Sequence, residues 1–323
     1  MIESTHLALD CLYGGAPVTE SVASALYDNG VLALLAHRNS SVLRARLHRQ
    51  IASIERIKQD FLEAAGLLAR HEIPFLSIKG VLLAQVLYGD YALRGFEDID
   101  LAIPRERYEE TVDLFRSHGY DHRTGDYRDT SVEVFTCVRN HSTLEAHFTI
   151  STADRFGDFY RDLWRNPATV QFEGGSFLVP AREKYLVFLL IHLIRHLDAP
   201  RAIWFEDIRR VLDQSGPDLD WTVIVDTAAL HKLANAMSIG MDLCDRVFGC
   251  YRLEVGFPRQ VRASIERMRS LHGRLLYRYL LRRLESADTT PFLRRLHSFG
   301  ISENWGDRLR MMRDFLRINM PRF

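Results

Sequence analysis

Lysine is scarce in this chain. Of 42 Lys and Arg residues only Lys58, Lys79, Lys184 and Lys232 are lysines, so each is a position to account for. Cysteine is scarce too: Cys11, Cys137, Cys244 and Cys250 are scattered, with no CxxC pair and no histidine at zinc-finger spacing. That excludes a disulfide framework and a structural zinc module. Net charge is absent, 42 cations against 42 acids, so no global field draws the chain to nucleic acid or membrane. The most apolar stretch, Tyr185 to Ile194, is about half of a bilayer span and ends in Arg195-His196. The opening residues MIESTHLALD carry acids where a signal peptide has a basic region. A cytoplasmic protein without a membrane partner is the expectation.

What is present is ordinary globular material. The chain has 323 residues, 47% of them hydrophobic and 26% charged, which excludes a disordered polymer, a collagen or a coiled-coil rod and suits about two domains. Charge is unevenly placed: from Tyr251 onward there are 16 Arg against 7 acids. Arg267, Arg274 and Arg278 fall at helical spacing, and Arg282-Arg283 and Arg294-Arg295 extend the run. A solvated helix face is the simpler reading. A surface for an anionic partner is the alternative, and its binding would weaken steeply with salt.

Periodicity divides the chain into three parts, 1–70, 71–180 and 181–323. In the first, Leu43, Leu47, Ile51, Ile54, Ile57, Phe61, Ala64, Leu67 and Leu68 recur at three- and four-residue steps, the stripe of a long amphipathic helix. Pro74 ends that pattern. Strand-like Phe75 to Ile78 follows, then Lys79-Gly80, a helix over Val81 to Tyr88, and a second strand over Ile99 to Ile103. A helix over Glu106 to His118 and strands over Val132 to Val138 and Leu144 to Ile150 come next, with a hairpin within Gln171 to Val179. Beyond Pro180 the spacing is helical throughout: 182–197, 204–212, 221–233, 236–248, 258–271 and 275–284. An α+β fold is expected, a small mixed sheet between a helical lead-in and an all-helical C-terminal domain.

Asp98 and Asp100 flank Ile99 at the start of an apolar strand. Alternation puts both carboxylates on one face, about 7 Å apart along the strand, where a hard divalent cation such as Mg²⁺ would relieve their repulsion. A solvated strand entry is the bland reading of such a pair taken alone. Lys79-Gly80 opens a helix, whose unpaired N–H groups suit a phosphate, with Gly80 allowing close approach and Lys79 adding a charge; a tight turn with a solvated lysine is the alternative. In Leu144-Glu145-Ala146-His147-Phe148, Glu145 and His147 face away from the core, and Glu145 could complete a metal triad or act as a general base. His192 and His196 stand one helical turn apart, as core or interface residues or, with Asp207, as part of a ligand cleft.

Together Ile78-Lys79-Gly80, Leu87-Tyr88-Gly89, Arg94, Asp98-Ile99-Asp100-Leu101 and Glu145-Ala146-His147 resemble the polymerase-β-like nucleotidyltransferase superfamily. They are most similar to uncharacterised bacterial nucleotidyltransferases with Lys-Gly in place of Gly-Ser. Glu183, Ile191 to His196 and Trp204 to Ile208 extend the resemblance, which covers about residues 70 to 213. It implies a polymerase-β-like core, a nucleoside triphosphate donor and two Mg²⁺ ions, with Mn²⁺ as a substitute, held by Asp98, Asp100 and Glu145. Arg94 would pair with phosphate oxygens, and Lys79, Gly80, His147, His192, His196 and Asp207 would bind nucleotide or substrate. Relatives accompany modified-peptide natural products, so the implied acceptor is a peptide or small molecule, with tRNA behind these. Two departures stand out: the triphosphate-contacting serine is missing, and the third carboxylate is Glu where Asp is usual. They leave open a sugar or other group as cargo, or a non-catalytic nucleotide-binding or regulatory protein.

Overall fold

The computed structural model describes residues 2–36, 40–123, 132–137, 142–148, 154–196, 200–215 and 218–269. The lead-in consists of α1 (Ile2–Leu12), α2 (Glu20–Asp28), α3 (Leu32–Leu35) and α4 (Ser40–Arg70). Then come β1 (Leu76–Ser77), α5 (Gly80–Tyr88), β2 (Asp98–Ala102), α6 (Tyr108–Ser117), β3 (Tyr120–Arg123), β4 (Val132–Cys137) and β5 (Thr143–His147). After α7 (Asp154–Leu163) a hairpin forms from β6 (Ala168–Phe172) and β7 (Gly175–Val179). The rest is helical: α8 (Arg182–Arg195), α9 (Ala202–Ser215), α10 (Trp221–Leu230), α11 (Ala234–Cys250) and α12 (Arg259–Met268). None of these helices is long and apolar enough to cross a membrane.

The α+β expectation holds. Five strands form one mixed sheet in the order β1-β2-β5-β4-β3, and β2 and β5, the central pair of the acidic motif, run parallel. The other neighbours are antiparallel. A parallel pair needs a crossover, which α6, β3 and β4 supply between β2 and β5. The core joins the two layers: Ile54, Ile57, Phe61, Ala64 and Leu68 of α4 pack with Ile99, Leu101, Leu144 and Ala146 of the sheet.

The chain forms two compact units. Met1–Thr152, Tyr160–Tyr185 and Arg201–Asp207 make the first, so the lead-in helices belong with the sheet. The second contains α8 from Leu186, α9 from Ile208, and α10 to α12. Within it, Gly240 of α11 lies against Leu190 of α8, where a Cβ would meet the leucine side chain at 3.1 Å.

The stripe of α4 differs from its expectation at one place. Ile51 is exposed, and Gln50 turns inward. Gln50 lies at a close backbone approach: Gly95 N–H donates to the Gly30 carbonyl at 2.9 Å, and a Cβ on Gly95 would come within 3.2 Å of Gln50 Nε2. The same clasp takes in the start of α9. Ala202 N–H donates to Asn29 Oδ1 at 2.9 Å and Ile203 N–H to the Asn29 carbonyl at 3.2 Å. β3 and α7 are not foreshadowed by periodicity, one being four residues long and the other strongly polar with Gly157 inside it. The expected helix over 275–284 lies outside the described residues, as do Arg274, Arg278, Arg282, Arg283, Arg294 and Arg295.

Candidate active site

Two strands and one turn build the candidate site. The β2–β5 register sets Asp100 beside Glu145 and Ala102 beside His147. Since successive side chains alternate, Asp98, Asp100, Glu145 and His147 share one face of the sheet. Ile99, Leu101, Leu144 and Ala146, all buried, enter the core on the other. Lys79 arrives from the turn between β1 and α5. That turn depends on Gly80, whose φ of +68° is a left-handed conformation and whose Cβ would lie 3.3 Å from the Asp98 carbonyl. Tyr160 pins the far end of β5, its hydroxyl donating to the carbonyls of Ile103 and His147.

Asp100 is the centre of the arrangement, with only 1% of it exposed. Its Oδ1 accepts from Lys79 Nζ at 2.7 Å and from His147 Nε2 at 2.9 Å. Its Oδ2 is buried and has no hydrogen-bond partner. Glu145 Oε2 lies 3.5 Å from His147 Nε2, and the Glu145 side chain is 30% exposed. Burial opposes the charge on Asp100, yet Lys79 and His147 outweigh it and hold its pKa below the ordinary carboxylate range. Asp98 goes the other way: burial, with the neighbouring Asp100 charge, pushes it up to about 7. Burial likewise works against the charged forms of Lys79 and His147, and the adjacent carboxylates more than compensate, raising both.

Could these residues hold a metal ion? One ligand atom each from Asp100, Glu145 and His147 lies within 4.8 Å of the others. A buried carboxylate oxygen without a donor is costly unless a cation or proton meets it, so the orphaned Asp100 Oδ2 fits a bound ion. Two carboxylates suit a hard divalent cation, and the imidazole admits softer ones. The group does not include Asp98, although β2 carries it on the same face. His147, expected as a nucleotide contact, is also a member of this cluster. The sign was in the sequence, in its position two residues after Glu145 on the same face.

The other expected site residues separate into two places. Arg94 and Asp207 meet each other inside the first unit, 4% and 0% exposed, with Nε donating to Oδ1 at 2.9 Å and Nη2 to Oδ2 at 2.8 Å. Tyr88, of the Leu87-Tyr88-Gly89 helix end, donates its hydroxyl to Asp207 Oδ1 at 2.8 Å. This guanidinium is thus engaged by a carboxylate, and it anchors the loop before β2 to the start of α9. Burial opposes the Arg94 charge, but Asp207 reverses that and raises its pKa further. His192 in α8 and His196, which follows the helix, lie in the second unit, with ring centroids 4.7 Å apart and Phe188 stacked on His192 at 6.2 Å.

Comparisons with known proteins bear on what such a site does. No curated protein matches the chain. Among solved structures it is similar to the antibiotic-resistance factor ANT(2'')-Ia, with 16% identity, a TM-score of 0.36, and 57% of this chain and 92% of that one covered. It is also similar to an antigenic nucleotidyltransferase-like protein from Paracoccidioides brasiliensis, with 14% identity, a TM-score of 0.37 and the same coverages. Such distant likenesses carry no argument about the site. The weight rests on a family profile that matches residues 16–249, a span holding the whole sheet, the Lys79 turn and every carboxylate named above. By that match the chain belongs to the uncharacterised nucleotidyltransferase family.

Proposed function

We propose that the protein transfers a nucleotidyl group from a nucleoside triphosphate to an acceptor hydroxyl or phosphate, with a divalent ion held at Asp100, Glu145 and His147. One observation carries this reading: the buried, donorless Oδ2 of Asp100 beside Glu145 and His147, in a chain of this family. A bound ion would supply Lewis-acid stabilisation of charge developing on phosphate oxygens. The chain's own groups do the rest. Lys79 fixes the rotamer of Asp100 by gripping Oδ1, which would leave Oδ2 to meet an ion; His147 Nε2, which donates to the same Oδ1 here, would give up that proton to serve as a ligand. Glu145, the half-exposed carboxylate of the set, is where an acceptor hydroxyl can hand over its proton. In the overall step the acceptor oxygen bonds to the α-phosphorus, the bond from that phosphorus to the bridging oxygen breaks, and pyrophosphate leaves. A peptide or small-molecule acceptor suits the relatives' setting.

Nucleotide binding is testable without the acceptor. Thermal stability is measured with each of the four nucleoside triphosphates, with and without Mg²⁺ or Mn²⁺, in wild type and Asp100→Asn. Ligand at a hundred times its Kd stabilises the native state by about 2.7 kcal/mol. The expected result is a metal-dependent rise for at least one nucleotide that Asp100→Asn abolishes. Absence of any shift in the wild type refutes the reading. Pyrophosphate release on adding a candidate acceptor separates transfer of a nucleotidyl group from passive binding or a different cargo.

A further inference from the structure

The lysine inside the acidic cluster bears on how many ions the site holds. This is the one lysine of the four set among carboxylates on the sheet face, and it contacts Asp100 directly at 2.7 Å. Its side chain is only 14% exposed, so it is not a solvated surface group brushing the site. Asp100 divides its two oxygens cleanly. Oδ1 is taken by Lys79 and His147, while Oδ2 has no partner. With an ion bound, the three carboxylates Asp98, Asp100 and Glu145 would be ionised and the imidazole neutral, and against one ammonium they leave two formal negative charges. One divalent cation balances that; two would leave the pocket positive before any nucleotide arrives.

Resting on the proposed metal-dependent transfer, we propose that Lys79 stands in for one of the two ions that the superfamily resemblance implies, so that the protein itself holds a single divalent cation. Lys79 is then a positioning residue. Its ammonium neutralises Asp100 Oδ1 and would leave Oδ2 to the one ion, while Gly80 and the ion pair order the turn. The same geometry assigns Lys79 to the carboxylate side of the site, away from the phosphate role read from its place at a helix start.

Manganese binding decides the matter. Bound Mn²⁺ is counted by electron paramagnetic resonance on the full chain without nucleotide, above the background of Asp100→Asn. The expected counts are one ion for wild type, one for Lys79→Arg, which keeps the charge, and two for Lys79→Met. Two ions in the wild type overturn the proposal, whether or not Lys79→Met folds. One ion in a folded Lys79→Met, shown by an unchanged far-ultraviolet circular dichroism spectrum, overturns it as well. No ion in the wild type, together with no nucleotide-induced stabilisation, overturns the metal-dependent reading beneath it, and that outcome is distinct from the other two.

Discussion

Asp207→Asn tests the internal ion pair most directly. The replacement keeps the shape of the side chain and removes the charge that Arg94 faces through bonds of 2.9 and 2.8 Å. Both residues are buried, so water cannot take over for the lost partner. Breaking a buried pair from one side costs about 3–5 kcal/mol because the remaining charge is left uncompensated. At about 2–4 °C per kcal/mol for a unit of this size, the melting temperature should fall by roughly 6–20 °C. Arg94→Met should cost a similar amount, since the Asp207 carboxylate then stays behind with only Tyr88. Tyr88→Phe removes one hydrogen bond to a charged acceptor and should cost about 1.5–3 kcal/mol. Urea denaturation of the three variants supplies the free energies, and raising the salt concentration should leave their order unchanged, because a buried pair is little screened. A loss below 1 kcal/mol for Asp207→Asn would refute the reasoning and return Arg94 to the list of groups able to meet a phosphate.

Three further outcomes follow from other parts of the structure. Gly80→Ala forces a Cβ into a left-handed conformation 3.3 Å from the Asp98 carbonyl, so it should destabilise the fold by about 1–2 kcal/mol and weaken Mn²⁺ binding, as read by denaturation and metal titration. Gln50→Leu replaces a buried amide whose oxygen and nitrogen both lack partners, and should raise stability by about 1 kcal/mol; a loss of stability would show that the amide is satisfied by an internal water. Lys58 donates to Glu173 and lies 2.7 Å from Glu55, whose pKa it holds below the ordinary 4.5. A lowered carboxylate stabilises above its ordinary pKa and loses that contribution as pH falls through the folded value. The stability gap between wild type and Lys58→Met should therefore be constant at neutral pH and shrink below about pH 4.5, the pair contributing under about 1 kcal/mol of it because Glu55 is open to water.

How much of this was legible in the sequence depends on whether the controlling interaction was local. Alternation around Asp98-Ile99-Asp100 and around Glu145-Ala146-His147 identified both strands and the outward carboxylates, because strand period is a property of a few consecutive residues. Their alignment was not readable: Asp100 faces Glu145 only through a parallel pairing made after a crossover of two strands and a helix. Arg94 and Asp207 were each marked as site residues, but 113 positions separate them and nothing in either neighbourhood announces that they bind each other. Tyr88 was marked in the helix-end motif Leu87-Tyr88-Gly89, but its hydrogen bond to Asp207 was hidden for the same reason. Ile51 fitted the helical stripe of α4, but in the fold Gln50 turns inward beside Gly95, a neighbour 45 positions away that periodicity cannot show.

The clasp around Asn29 also bears on how the protein is made. Asn29 leaves the ribosome 173 residues before Ala202, the residue whose N–H its side chain receives. At about 5–20 residues per second, synthesis leaves the two apart for roughly 10–35 s. During that interval the lead-in helices and the sheet have been made, but the Asn29 side-chain oxygen has no Ala202 to bind and Arg94 has no Asp207. The first unit therefore closes from its far end, when the start of α9 arrives. Until then the α/β layer lacks both of these latches, and a pause in translation at any point before residue 202 would lengthen that interval.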